Sequence, residues 1–188
     1  MNNPRHWHLR ILNIRHEEAQ VAGYFFLHHF FLGIGLSLIS ITATTSFLAN
    51  YPAHDLSVAF GISSVALLLA GRGYAMLEHH LKIDKFLPLI SLILILMVVL
   101  LRWMRAEIPG NPSPLILLVA FQVIYLLSNL KFWGLSAMVF DVRQSKRLFS
   151  FISSGDVPAK LLGYLSIAIL QPVIGLNNLL ILAALSFV

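Results

Sequence analysis

Apolar residues fall in long unbroken blocks, at about 20–49, 55–79, 86–104, 114–140, 146–172 and 176 to the end. The blocks show neither the alternation of a half-buried strand nor the one-sided stripe of a helix on a soluble core. At 1.5 Å per residue, a run of about 20 apolar residues crosses a hydrocarbon layer of about 30 Å. Only helices and closed barrels satisfy their backbone groups in that layer, and the short alternating segments of a barrel are missing. The pattern therefore predicts an all-α integral membrane fold with six transmembrane helices. The breaks read "NYPAHD", "EHHLKIDK", "RAEIPGNPSP", "DVRQSK" and "QPVIGLNN", each with turn formers or charge. Such short connections predict that consecutive helices lie side by side and antiparallel.

Composition sharpens the class. Of 188 residues, 58% are hydrophobic and 11% charged, against about a quarter charged in a soluble domain. The mean hydropathy of +0.82 agrees. A net charge of +5 is spread among the breaks and forms no patch, so nucleic acid is not an expected partner. Cysteine is absent, which removes disulfides and thiolate metal sites. The block from Val21 exceeds the core of a cleavable signal peptide. Residues 1–19 read as a basic cytoplasmic segment with some amphipathic character, and 20–188 as one six-helix bundle. The last block, "LLILAALSFV", has no charged flank, and the chain reads as the front part of a longer protein.

Lys and Arg set the orientation. Arg5, Arg10 and Arg15 precede the first span, Arg72, Lys82 and Lys85 surround the second break, and Arg143, Lys146 and Arg147 fill the fourth. The alternate side holds Arg102 and Arg105. A cytoplasmic N-terminus in an inner (plasma) membrane is the expectation. Counted at 1.5 Å per residue, Asp156 and Lys131 lie about 12 Å, and Lys160 about 18 Å, from the cytoplasmic edge. His28, His29 and Arg72 fall in the same layer. Charge is thus concentrated at one level of an otherwise apolar length, where it is expensive and marks a pathway by default.

Asp156 and Lys160 have the i, i+4 spacing of a pair on one helix face. Lys131 is expected to reach Asp156 from the preceding span. Two lysines against one aspartate leave positive charge, which suits an anionic solute. Pro158 removes a backbone donor and predicts a break or kink near Ser154 and Gly155. In the first span Gly33, Ser37, Ser40 and Thr44 form a stripe of small residues that permits close helix approach. The pairs His28–His29 and His79–His80 raise a haem-binding cytochrome, but neighbours on a helix diverge by about 100° and no deeper histidine recurs. No catalytic constellation is visible, so an enzyme is not expected, nor is a cofactor.

The stretch from Tyr125 to Gly163, "YLLSNLKFWGLSAMVFDVRQSKRLFSFISSGDVPAKLLG", resembles the ATP/ADP translocase family of plastids and intracellular bacteria, a major facilitator type of transporter. The likeness rests on Phe132-Trp133, on Lys146-Arg147 followed by Phe149, and on Gly155 and Gly163. It implies half of a twelve-helix bundle, built from two inverted three-helix repeats, with a C-terminal six-helix half of the same chain as partner. The expected function is transport of a small anionic solute, a nucleotide or similar, by alternating access. Lys131, Asp156, Lys160, Arg72 and His28 are the expected binding residues, with Gly155 and Pro158 as the helix break. A non-transporting membrane sensor or scaffold with the same fold is the alternative.

Overall fold

The computed structural model describes residues 14–107 and 112–187. The segment holding Arg5 and Arg10, and the break holding Pro109, lie outside the described residues. All secondary structure among the described residues is helical. The helices are α1 (His16–Asn50), α2 (Leu56–His80), α3 (Ile83–Glu107), α4 (Pro112–Val139), α5 (Val142–Ser153), α6 (Asp156–Ile174) and α7 (Leu176–Leu185). A 3-10 turn, Ala53–Asp55, leads into α2.

Among the described residues five runs are long and apolar enough to cross a membrane: Glu17–Asn50, Ala53–His80, Ile83–Arg105, Ser113–Val139 and Val142–Ile174. The expected sixth span differs. Within the described residues it is α7, with 10 residues, which covers about 15 Å, half a hydrocarbon core. α1 has 35 residues and reaches about 50 Å, so Glu17 and Glu18 in its first turn extend beyond the apolar length.

Adjacency in sequence does not give adjacency in space. α1 packs on α4, on α5 and α6, and on α7; α2 packs on α4; α3 packs on α4 and α7. α1 and α2, joined by a short turn, are not a packed pair, nor are α4 and α5, and α2 touches α3 weakly. The expectation of side-by-side neighbours holds for α3 and α4 and is corrected for the other long helices. Short loops fix alternation of direction, but side-chain volume decides which helices touch. Counting α5 and α6 as one span, exchange of spans one, two and three with four, five and six leaves this set of packed pairs unchanged.

Small residues explain the tightest of these contacts. Gly33 and Ser37 on α1 face Ala159 and Gly163 on α6, at i, i+4 spacing on both helices. A Cβ at Gly33 would sit 2.8 Å from the Ala159 Cβ, and one at Gly163 would overlap the Ser37 hydroxyl. On the other flank of α1, Gly35 admits Ser186 and Ala183. Ringed by neighbours, the apolar window of α1 is 61% buried, whereas that of α2 is 11% buried. The outer face of α2 shows Val58, Phe60, Ile62, Val65, Leu68 and Leu69.

The expected break is present and mild. α5 ends at Ser153 and α6 starts at Asp156, with Ser154 and Gly155 still in the right-handed helical region. The Ser154 N–H is shared between the Ser150 and Phe151 carbonyls, and the Gly155 N–H turns to the tighter acceptor Ile152. Pro158, in the first turn of α6, offers no N–H to continue the ladder. Gly155 is needed at this point, because a Cβ there would press on the Phe26 ring and carbonyl at 3.2 Å. α5 is tied to the start of α1 by a two-pronged ion pair, Arg147 Nη2 to Glu18 Oε1 (2.9 Å) and Oε2 (3.0 Å). Asp141 and Gln144 cap α5 reciprocally, and Gln144 Nε2 also donates to Glu18 at 3.2 Å.

Candidate functional site

The charged layer resolves into two cavities, one on each flank of the first half of α1. The first, of about 180 Å³, lies between α1, α4 and α6 and is lined by His29, Tyr125, Asn129, Trp133, Ser153, Asp156 and Lys160, among others. Its centre is an ion pair: Lys160 Nζ donates to Asp156 Oδ2 at 2.7 Å, with the side chains 32% and 28% exposed. The same ammonium stands 5.8 Å over the Tyr125 ring, within cation–π range. Gly33 gives the aspartate its seat, since a Cβ there would lie 3.1 Å from Asp156 Oδ1. The close α1–α6 packing and the position of the charge therefore have one cause.

His29 forms the inner wall. It is buried, stacks on Phe132 at 4.4 Å and meets Trp133 edge-on at 5.5 Å. Its Nδ1 is buried and has no hydrogen-bond partner. Trp133 is held in turn by Phe132 and by Phe149 of α5, each at 5.1 Å. The aromatic wall is thus pinned by three helices, which leaves polar groups of both signs fixed around a small space.

The second cavity, of about 210 Å³, is lined by Tyr24, Phe25, His28, Lys131 and Leu135. Lys131 is half-buried and belongs to none of the ion pairs among the described residues. His28 lies against the outer side of Phe132 at 5.6 Å, so this ring divides the two cavities.

Of the five expected binding residues, the structure brings Asp156 and Lys160 together. It does not bring Lys131 to Asp156: Lys131 lies about 200° around α4 from the cavity-lining Asn129, and common depth says nothing about azimuth. His28 is with Lys131, and its neighbour His29 occupies the position expected for it. Arg72 is exposed on α2 and lines neither cavity. Tyr125, Asn129 and Trp133 line the cavity but were not among the expected binding residues; Tyr125 and Trp133 figured only in the family resemblance. Their i, i+4, i+8 spacing marks one face of α4. His29 carries a similar signal, since His29, Gly33 and Ser37 continue the small-residue stripe that meets α6.

Among the described residues no three His, Asp or Glu side chains come together as a metal site would need. No family model, curated protein or solved structure matches this chain.

Proposed function

We propose that this chain is a membrane transporter half of the major facilitator type, and that the Asp156–Lys160 cavity takes part of a small anionic solute. The observation that carries this reading is an ion pair aimed into a cavity at mid-depth of an apolar helix. On a lipid-facing surface such a pair would lack compensation, and intramembrane charges mark solute paths by default. An anionic group displaces Asp156 from Lys160, while Trp133 and Tyr125 offer faces for a planar portion. The unpaired Lys131 across Phe132 adds positive potential. The exchange of spans one to three with four to six, which preserves the packed pairs, supports an origin in two three-helix repeats. Pockets for whole small molecules measure about 300–1,000 Å³. At about 180 Å³ this cavity holds one phosphate or carboxylate, or one ring, and the rest of the solute rests on a second six-helix half. A nucleotide is a suitable candidate, having both an anionic and a planar part.

The absence of cysteine makes the test direct. Single cysteines at 156 and 160 in the full chain should react with hydrophilic thiol reagents, and ATP or ADP should slow that reaction. Cysteines at Leu161 and Leu165, which are exposed on the outer face of α6, serve as controls that no solute protects. Reaction at 156 and 160 that is unaltered by nucleotides, phosphate or organic anions alike overturns the reading.

A further inference from the structure

At the opposite end of the bundle, where α1 and α3 finish and α7 begins, two arginines meet with no carboxylate paired to them among the described residues. Arg105 Nε donates to Asn177 Oδ1 at 2.8 Å and its Nη1 to Ser46 Oγ at 2.5 Å. Arg102 Nη2 donates to Asn178 Oδ1 at 3.1 Å. The two asparagines reach this position because Gly175, with φ of 75°, turns the chain sharply from α6 into α7. Asn178 is oriented by its own Nδ2, which donates to the Ile174 carbonyl at 2.8 Å and leaves Oδ1 facing Arg102.

These partners hold the guanidinium groups without neutralising them. None of the ion pairs among the described residues includes Arg102 or Arg105. Each guanidinium carries five N–H donors. Among the described residues Arg102 uses one and Arg105 two, and the buried Arg102 Nε has no hydrogen-bond partner. A clamp serving only to join α3 to α1 and α7 would leave no buried donor unmet, since an unsatisfied one is costly. Two fixed positive charges with several free donors match a tetrahedral oxyanion with three or more acceptor oxygens. Exposed Trp103, beside Arg102, is the residue type that sits at the headgroup level of a bilayer.

We propose that Arg102 and Arg105 form a phosphate-binding site at this end of the bundle, separate from the mid-depth cavity. Its ligand is a phosphate group, supplied either by a phospholipid headgroup or by a free phosphate or phosphorylated solute. The site stands on its own geometry and does not depend on the transport reading.

Thermal unfolding of the full chain distinguishes the sources. In a non-ionic detergent, inorganic phosphate is titrated at constant ionic strength, with chloride as the control. In nanodiscs, phosphatidylcholine is compared with a phosphatidylcholine–phosphatidylglycerol mixture. A melting temperature that rises with phosphate in detergent identifies a free-anion site. A rise only in the phosphatidylglycerol discs identifies a headgroup site. In either case Arg102→Gln should weaken the response roughly ten- to hundredfold, the worth of a charged hydrogen bond. Arg102→Lys should retain part of it, and Asn178→Ala, which keeps both charges, should still respond. Arg102 has one protein hydrogen bond, so Arg102→Gln should fold. Equal responses of wild type and Arg102→Gln to both sources would overturn the site and leave a helix clamp.

Discussion

The two flanks of α1 carry one lysine each and treat it differently. Toward α6 the packing is tight, glycine against small residues, and Lys160 is paired at 2.7 Å with Asp156 one turn back on its own helix. Toward α4 the packing is aromatic, and Lys131 has a cavity and His28 beside it but no counter-charge. Close packing needs a neutral network, because a lone charge pressed against backbone would have neither water nor partner. The two cavities are of similar size, about 180 and 210 Å³, so what separates the flanks is the counter-charge: Lys160 has one on its own helix and Lys131 has none among the described residues.

The comparison breaks most severely at the interface. Gly163→Val puts a branched side chain where even a Cβ overlaps the Ser37 hydroxyl, and should cost about 3 kcal/mol of stability. Gly163→Ala should cost less, and Ser37→Gly should restore most of the loss from Gly163→Ala. Unfolding by a denaturing detergent measures both. Undiminished stability in Gly163→Val would mean that α1 and α6 are not in contact at this point.

Next in size is the pair itself. Asp156→Asn strands Lys160, and because both side chains are about 30% exposed the loss should be near 2 kcal/mol, below that of a fully buried pair. A double-mutant cycle with Lys160→Gln should show coupling above about 1 kcal/mol, while a cycle with Lys131→Gln should be additive within about 0.5 kcal/mol. Coupling of Asp156 to Lys131 would restore the partnership that depth alone suggested.

That contrast also shows what a sequence reveals. The Asp156–Lys160 pair was legible, because i, i+4 spacing fixes depth and direction together. The Gly33–Ser37 stripe and the break before Pro158 were legible for the same reason. Lys131 and His28 were misplaced because their depth was known and their azimuth was not. The stripe His29–Gly33–Ser37 contained that information, since it fixes which face of α1 meets α6. Which helices pack together was not legible. The short turn between α1 and α2 constrains their ends, whereas α1 lies against α6 because Gly33, Ala159 and Gly163 remove volume.

The flank without a counter-charge should tolerate change. Lys131→Met keeps the stem of the side chain and removes a charge that has no partner. Stability should rise by up to about 1 kcal/mol, the opposite sign to Asp156→Asn. A solute drawn by the positive potential should bind more weakly, most of all at low ionic strength, as read by protection of a cysteine at 160. A loss of stability comparable to that of Asp156→Asn would reveal a counter-charge to Lys131 and erase the difference between the flanks.

The smallest effect belongs to Arg72. It was grouped with the other charges by depth, but it projects from the exposed face of α2, on neither flank of α1. Its charge therefore has no role in holding the bundle, and it lines neither cavity. Arg72→Gln should shift stability by less than about 0.5 kcal/mol, as surface substitutions usually do. Nucleotide protection of a cysteine at 160 should also be unchanged in that background. The two readouts separate two ways of being mistaken. Lost stability would place Arg72 in an unrecognised structural pair. Lost protection at full stability would mean that the solute passes along α2, and the pathway would then extend beyond the flanks of α1.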